Sequence, residues 1–489
     1  MALKDGNSYK DSLNALKLNV YAFGEKIGTV VDHPLFQPHI NAAALTYELA
    51  HGSSGESLFA TSSHLTGNRI NRFTHIHQST DDLIKKVKML RLIAGKTGSC
   101  FQRCVGWDAL NANYSVTFEM DRELGTDYHQ RFRRYLEFIQ TNDLMVAGAM
   151  TDPKGDRGLS PAKQTDPDLF VHIVEKSDQG IVIRGAKAHQ TGVVNSHEML
   201  IMPTIAMGEE DKAYAVACAL PTDAPGVLHI FGRQTNDTRR MEGGELDLGN
   251  ARYGIVGGEA LTVLENVFVP WERVFMCEEH QYAGLLVERF ASYHRQNYGG
   301  CKAGVSDVVV GATTAMAEYN GAAKASHVRD KVTEMVHLTE TLYCGSIACS
   351  CEGAPTASGA YFVDPLLANT VKQNVTRFIY EIARLSHDIS GGCIATMASE
   401  KDLRNPQIGK YVEKYFKGVA NVPTEHRMRM ARLLENMTGG TALVESMHGA
   451  GSPQAQRVMI LRQANLGRKV RLAKALAGIE EEKSQGGLQ

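Results

Sequence analysis

The sequence lacks an excess of charge of either sign, and it lacks any long apolar run. Lys and Arg together number 52, and Asp and Glu number 54, which gives a net charge of −2. Such a balance is not typical of proteins that bind nucleic acid or an anionic membrane surface. No apolar stretch reaches the length of a membrane span, and the polar start MALKDGNSYKDSLN does not resemble a signal peptide. We therefore expect neither nucleic acid nor a membrane as partner.

A disulfide framework and the common cofactor motifs are also missing. The nine cysteines are odd in number and unevenly spread, which favours reduced thiols and a cytoplasmic location. The chain contains no GxGxxG and no HExxH, and Gly95-Lys96-Thr97 has no upstream glycine of a P-loop. Any nucleotide cofactor must therefore be held by a different arrangement.

What is present predicts an α+β fold in three parts. Residues 1–148 show helical apolar spacing, for example in DDLIKKVKMLRLIAG, and form a predicted N-terminal α domain. Ser79-Thr80-Asp81-Asp82 before LIKKVKML predicts an N-cap with acidic first-turn residues. Residues 149–280 contain short β-branched segments such as GIVIRGAKAH and ALTVLENVFVP, separated by turn signals, and form a predicted β domain. Residues 281–489 return to long amphipathic patterns that are typical of a C-terminal helical bundle.

Four residues are candidate metal ligands: Cys100 and Cys104 in SCFQRC, and His294 and Cys301 in YHRQNYGGC. Residues four or seven apart share a face of a helix, so each pair can point to one place if both segments are helical. Gly299-Gly300 could break the second helix beside Cys301. Three thiols and one imidazole suit an iron–sulfur cluster, in which a nitrogen ligand is readily displaced.

Two other interpretations of these four residues remain open on spacing alone. Cys3His is also a common ligand set for structural zinc. Buried cysteines without any metal often serve as small apolar packing residues. The spacing C-x3-C is a weaker signal than the dense cysteine runs of many iron–sulfur proteins.

Polar loops and several acid–base side chains are further candidates. The loop AMTDPKGDRG, residues 149–158, offers free backbone N–H groups to a flavin edge or a phosphate. A second polar ledge, RGAKAHQTG, follows a predicted strand at residues 184–192. Glu259 begins an apolar strand, where burial would raise its pKa. The remaining candidates for proton transfer are Tyr298, Lys302 and Glu445.

Together, these segments resemble the acyl-CoA dehydrogenase superfamily, and within it the family of 4-hydroxybutyryl-CoA dehydratases, which also isomerise vinylacetyl-CoA. The similarity is carried by SCFQRC, AGAMTDPKGDRG, GAKAHQTG, GEALTVLENVF, ERFASYHRQNYGGCK and ESMHGAGSPQAQR, and it covers nearly the whole chain. The resemblance implies an N-terminal helical domain, a middle β-barrel and a C-terminal bundle. It also implies a homotetramer, a dimer of dimers, with one FAD and one [4Fe–4S] cluster per subunit.

The resemblance assigns residues to each cofactor. Cys100, Cys104, His294 and Cys301 match the cluster ligands of the family. The flavin is expected against the loop and the ledge, at Met150, Thr151, Asp152, Gly155, Asp156, Arg157, Gly158, His189, Gln190 and Thr191. A neighbouring subunit's flavin is expected near Asp388, Gly391 and Gly392 of LSHDISGG.

The implied reaction converts 4-hydroxybutyryl-CoA to crotonyl-CoA by a flavin-assisted radical mechanism, with the cluster as Lewis acid. His294 is expected to act as general base, and Glu259, Tyr298, Lys302 or Glu445 to hold the hydroxyl or relay protons. One alternative is a reduced-flavin-dependent aromatic hydroxylase, such as the 4-hydroxyphenylacetate 3-monooxygenase relatives of the same fold, which needs no cluster ligands. A second is a cluster-bearing scaffold without turnover.

Overall fold

The first third of the chain is mainly helical, as its apolar spacing predicts. The computed structural model describes residues 3–479. Ser79 caps the third helix by accepting a hydrogen bond from the Asp82 amide, and acidic residues follow in the first turn, as the sequence predicts. The five helices are α1 Gly6–Asn14, α2 Gln37–His51, α3 Thr80–Thr97, α4 Cys104–Leu124 and α5 Tyr128–Thr141.

Two larger sheets and two hairpin-like pairs contain all the strands of residues 3–479. The strands are β1 Val20–Ala22, β2 Glu25–Ile27, β3 Ala60–Ser62, β4 Arg69–Asn71, β5 Val146–Ala149, β6 His172–Lys176, β7 Gly180–Thr191, β8 Glu198–Ile201, β9 Val216–Pro221, β10 Val227–Phe231, β11 Glu259–Pro270, β12 Val274–Cys277, β13 Ala354–Pro355 and β14 Tyr361–Phe362. The six-stranded sheet has the order β2-β1-β10-β11-β7-β6, and the four-stranded sheet has the order β12-β9-β8-β5. The small pairs are β3–β4 and β13–β14.

The expected β-barrel is not closed within the part of the chain that the structure describes. The six-stranded sheet ends at β2 and β6, and the four-stranded sheet ends at β12 and β5, with no pairing between the two sheets. Register shifts between β11 and β7 mark irregularities that bend and twist this long pair. Alternating apolar residues predict strands, but closure depends on tilt and register, which the alternation does not encode.

The first sheet also draws on the N-terminal part of the chain. β1 pairs with β10 in parallel, with Val20 opposite His229. β5 begins at Val146, just before the expected boundary, and pairs in parallel with β8. The division into 1–148, 149–280 and 281–489 remains a prediction.

Helices dominate the last part of the chain, with α6 Asp237–Glu242 lying earlier, between the strands. The helices are α7 His280–Tyr319, α8 Ser326–Cys351, α9 Pro365–Ser390, α10 Cys393–Thr396, α11 Glu400–Arg404, α12 Gly409–Tyr415, α13 Thr424–Met437, α14 Gly440–His448, α15 Pro453–Gln463 and α16 Leu466–Leu476. α7 is unbroken for 40 residues. It packs against α3, α4, α8 and α9. Within residues 3–479, none of the helices is long and apolar enough to span a membrane.

Glycines set the spacing around α7 and do not break it. A Cβ on Gly299 would lie 2.5 Å from the Leu342 carbonyl oxygen of α8, and one on Gly300 would lie 2.7 Å from the Val87 carbonyl oxygen of α3. The possible helix break at Gly299-Gly300 is therefore not observed. The two residues lack side chains because neighbouring backbones approach too closely to admit a Cβ.

Candidate functional site

One face of α7 presents four of the predicted site residues. His294, Tyr298, Cys301 and Lys302 follow one another at intervals of four, three and one residues along this helix. Intervals of three and four residues keep His294, Tyr298 and Cys301 on one side of an α-helix, and Lys302 borders this side at about 80° around the axis from His294. His294 and Cys301 therefore lie on one helix, which is the condition for their side chains to point to one place.

Cys100 and Cys104 are arranged differently from the prediction. α3 ends at Thr97 and α4 begins at Cys104, so Cys100 lies in a non-helical connection. Gln102 in this connection has a left-handed φ of 68°. The assumption that both cysteines share one helix was wrong, because the chain turns sharply between two helices at this point.

The three thiols nevertheless lie close enough to affect one another. Burial raises the pKa of Cys104 well above its ordinary value, and Cys100, Asp108 and Cys301 raise it further. Burial, followed by Glu445 and Cys301, raises the pKa of Cys100 to about 12. A bound cation would be needed to hold these buried thiols as thiolates.

The donors do not converge on a single point. Among residues 3–479, no group of three or more His, Cys, Asp or Glu side chains is placed to hold one metal ion. A structural zinc needs four donors at about 2.0–2.3 Å from one centre. In a four-iron cluster each ligand binds a different iron, so the donors stay further apart. Cys100, Cys104, Cys301 and His294 have the donor types that an iron–sulfur cluster binds, and within residues 3–479 they are not placed around one metal ion.

His294 is oriented by residues that the sequence analysis missed. Its Nδ1 lies 2.8 Å from Oδ2 of Asp108 on α4. Lys86 on α3 donates to the other oxygen of Asp108 at 2.5 Å, and both side chains are fully buried. The available signal was one acidic residue in the otherwise apolar start of α4, CVGWDAL, four positions after Cys104.

Glu445 on α14 joins the α7 face through two hydrogen bonds. Tyr298 donates to one oxygen at 2.7 Å, and the Lys302 ammonium donates to the other. Burial alone would raise the pKa of Glu445, but Lys302 and Tyr298 together hold it below the ordinary value. Glu445 is therefore a carboxylate at neutral pH.

A buried lysine beside this group was also missed by the sequence analysis. Lys372 on α9 lies 4.6 Å from the Tyr298 ring centre and donates to the Ser446 carbonyl oxygen at 2.8 Å. Burial lowers its pKa to about 7, and Lys302 and Arg295 act in the same direction against the opposing charge of Glu445. Nothing in the local sequence NTVKQNVT distinguishes this lysine from a solvated one.

Glu259 differs from Glu445 in its protonation state. It begins β11, and Thr191 Oγ1 lies 2.8 Å from each of its two carboxyl oxygens. Burial raises the pKa of Glu259 to about 8, because it outweighs the lowering by the Thr191 hydrogen bond, and Glu445 adds a smaller increase. Glu259 is therefore mainly protonated at neutral pH.

The expected flavin loop and the ledge meet in the structure. The Thr151 carbonyl oxygen accepts hydrogen bonds from the Ala188 amide at 2.8 Å and from the Gln190 side chain at 3.0 Å. Asp152 is buried in an ion pair with Lys187 at 2.6 Å. These contacts fix the first residues of the loop against β7.

The tip of the loop and part of the ledge remain accessible. Gly155 has a left-handed φ of 51°, and the Asp156 side chain accepts from the Gly158 amide at 2.9 Å. Arg157 and His189 are exposed, and Met150 is buried. The loop therefore has an exposed polar tip and a base that is held in place, and this arrangement can bind a polar cofactor.

The two predicted cofactor sites adjoin each other at Gly257. A Cβ on this residue would lie 3.5 Å from the Cys100 sulfur and 2.8 Å from the Thr191 methyl carbon. The thiol and the end of the ledge are therefore separated by little more than one glycine. A cluster at Cys100 and a flavin at Thr191 would be neighbours.

Asp388, Gly391 and Gly392 lie elsewhere, at the exposed C-terminal end of α9. Asp388 follows Lys372 by about 24 Å along the helix axis. Its carboxylate pairs with Lys331 at 2.6 Å. The structure does not bring these three residues to the site formed by α7, α4 and α14.

Comparisons with known proteins agree on the family. Two models described as 4-hydroxyphenylacetate 3-hydroxylase, N terminal and C terminal, match residues 5–276 and 283–478. A curated relative from Clostridium aminobutyricum, named 4-hydroxybutyryl-CoA dehydratase/vinylacetyl-CoA-Delta-isomerase, is 58% identical over 98% of this chain and 100% of its own. A solved structure described as an oxygen-tolerant archaeal 4-hydroxybutyryl-CoA dehydratase from N. maritimus is 50% identical, with a TM-score of 0.96 over 100% of this chain and 97% of its own.

The hydroxylases are more distant. The oxygenase component of 4-hydroxyphenylacetate 3-monooxygenase, solved in complex with FAD, is 22% identical, with a TM-score of 0.83 over 98% of this chain and 100% of its own. This similarity shows a shared fold and no more. With its family models and its 58% identity over nearly the full length, the chain belongs to the 4-hydroxyphenylacetate 3-hydroxylase family and, within it, to the 4-hydroxybutyryl-CoA dehydratases/vinylacetyl-CoA-Delta-isomerases.

Proposed function

We propose that the chain dehydrates 4-hydroxybutyryl-CoA to crotonyl-CoA and isomerises vinylacetyl-CoA to crotonyl-CoA, using FAD and a [4Fe–4S] cluster. The observation that supports this most is the meeting of Cys100, Cys301, Glu445 and Glu259 around one face of α7, next to the expected flavin ledge. The 58% identical relative carries the name of both activities.

The chemistry explains why two cofactors are needed. The hydroxyl on C4 is not β to the thioester carbonyl, and the C3 hydrogen is not activated, so simple acid–base elimination would not proceed. When bound, the two groups supply Lewis acidity at the leaving hydroxyl and a reversible electron acceptor. Cys100, Cys104, Cys301 and His294 would hold the cluster. Residues 150–158 of the loop and residues 189–191 of the ledge would hold the flavin.

The chain's own residues divide the proton transfers between them. We assign to His294 the role of general base: its ring nitrogen Nε2, when it is not bound to iron, would take the C2 proton. Glu259 holds a proton at neutral pH and can donate it to the departing hydroxyl. Glu445 is ionised and holds Tyr298 and Lys302 in place, and it can accept a proton. Two neighbouring carboxyl groups whose pKa values are shifted in opposite directions commonly act as the acid and the base of one reaction.

We further propose a homotetramer in a reducing, cytoplasmic setting. All nine cysteines are free thiols, as expected for such a compartment. α16 has no buried residue, and Leu476 is 92% exposed. Apolar side chains so exposed are typical of an interface with another subunit. Asp388, Gly391 and Gly392 would then face the flavin of the partner.

The test is anaerobic purification, followed by iron, sulfide and FAD quantification and an assay for crotonyl-CoA. Cys100→Ser is expected to lose iron and dehydration together. Cys344→Ser, at an exposed cysteine of α8, is the matched control and should keep both. A protein that contains zinc and no iron, or that makes no crotonyl-CoA while loaded with both cofactors, would contradict the proposal. Full activity of Cys100→Ser would remove this residue from the ligand set.

A further inference from the structure

Asp108 of α4 is a fully buried carboxylate whose contacts come from two other helices, α7 and α3. On α7, His294 Nδ1 lies 2.8 Å from its Oδ2, and the Asn297 side-chain amide donates to the same oxygen. On α3, the Lys86 ammonium lies 2.5 Å from its Oδ1. Lys86 also donates to the Tyr293 carbonyl oxygen at 3.3 Å. A buried charge is tolerated when it is paired and hydrogen-bonded in this way.

These contacts determine which ring nitrogen of His294 carries the proton. An ionised carboxylate can only accept hydrogen bonds, so Nδ1 must donate to Asp108. The lone pair of the imidazole is then on Nε2. No hydrogen bond of Nε2 is present within residues 3–479, and His294 is 9% exposed. Nε2 is therefore the atom free to bind a metal or take a proton.

We propose that Asp108, held by Lys86, is a positioning residue that keeps the His294 proton on Nδ1 and its Nε2 lone pair directed at the site. The inference rests on the proposed function, in which Nε2 is an iron ligand. Cys104 begins the helix that contains Asp108, so α4 fixes one ligand directly and orients a second. Carboxylates that receive the second N–H of a ligating histidine are a general feature of metal sites.

Asp108→Asn is the informative variant because the asparagine side chain has the same shape but carries an NH2 donor in place of one carboxylate oxygen. Lys86 can only donate, so the amide oxygen turns to Lys86 and the amide NH2 faces Nδ1. The imidazole then carries its proton on Nε2, where iron must bind. With the anaerobic holoenzyme, we expect iron loss to a chelator about 10–100-fold faster than in wild type. FAD content should be unchanged.

Asp82→Asn is a matched control for the loss of a buried carboxylate. Asp82 also pairs with a histidine and a cation, through His75 at 3.1 Å and Arg72 at 2.9 Å, and none of its hydrogen bonds within residues 3–479 involves a predicted ligand. We expect it to lower the melting temperature like Asp108→Asn but to retain iron as wild type does. Equal iron retention in both variants, or equal loss, would overturn the positioning role.

A measurement on the full-length chain without iron tests the proposal independently of any variant's folding. Nitrogen-15 NMR of histidine-labelled protein, with His294 assigned by its loss in His294→Gln, reports the tautomer directly. A proton on Nδ1 supports the proposal, and a proton on Nε2 refutes it. A purified wild type without iron would contradict the proposed function, and the tautomer would still decide the role of Asp108.

Discussion

A pair of glycine substitutions on α7 tests whether close helix packing positions the site. Gly304 faces α3, and a Cβ there would lie 2.2 Å from the Arg91 carbonyl oxygen and 2.9 Å from the Ala94 Cβ. Gly311 lies seven residues further along the same helix, where a Cβ would meet nothing within 4 Å. Both Gly304→Ala and Gly311→Ala therefore add one Cβ to α7. At Gly304 the added atom meets α3, and at Gly311 it enters open space.

The magnitude follows from two opposing effects. Alanine is favoured over glycine within a helix by about 1 kcal/mol, and this gain is common to both variants. Cβ atoms do not approach other heavy atoms closer than 3.0 Å, so at Gly304 a contact of 2.2 Å requires α3 to move by roughly 0.8 Å. Overpacking of this kind costs about 1–3 kcal/mol. The free energies of unfolding of the two variants should therefore differ by about 1–3 kcal/mol, with Gly311→Ala the more stable.

The assay is thermal unfolding of both variants and wild type at one scan rate, followed by circular dichroism. We expect a lower midpoint for Gly304→Ala than for Gly311→Ala, with the latter at or above wild type. Crotonyl-CoA formation should fall only in Gly304→Ala, because α3 also holds Lys86 against Asp108. Equal midpoints for the two variants would refute the packing argument.

Two further predictions concern pH. Between pH 4.5 and about 8 the folded chain keeps a proton on Glu259 that the unfolded chain has lost, so wild type should lose stability relative to Glu259→Gln as pH rises. A melting-temperature difference that stays constant from pH 5 to 8 would contradict this. Between about pH 7 and 10.5 the unfolded chain binds a proton at Lys372 that the folded chain has lost, so wild type should gain up to about 1.4 kcal/mol per pH unit relative to Lys372→Met. Urea titrations at pH 7, 8 and 9 measure this gain, and parallel curves would exclude it.

Much of the fold was predictable because its signals are local. The helical spacing of DDLIKKVKMLRLIAG and the capping residue Ser79 predict α3, and the structure confirms both. The β-branched segment ALTVLENVFVP predicts β11, which runs from Glu259 to Pro270. The openness of the sheets and the pairing of β1 with β10 depend on contacts some 200 residues apart in the chain, and local spacing contains no information about them.

Less of the site could be predicted from local patterns. The sequence shows that Cys100 and Cys301 are residue types that can bind metal, but it does not show which charges surround them. Glu259 and Glu445 are both glutamates beside apolar residues, and only the structure shows Lys302 at one and Thr191 at the other. Asp108 stands out in sequence only by its apolar neighbours, and Lys372 by nothing, so their roles appear only when α4, α7, α9 and α14 are packed together.

The length and unbroken course of α7 explain how residues from distant segments act together. His294 and Lys302 are eight residues apart, about 12 Å along the axis. Within this distance α7 meets Asp108 of α4 at one end and Glu445 of α14 at the other. A break at Gly299-Gly300 would separate the expected ligand and base, His294, from the charges that hold Glu445. The absence of side chains at these glycines therefore serves the chemistry, because it lets α3 and α8 pack closely against the helix where it must remain unbroken.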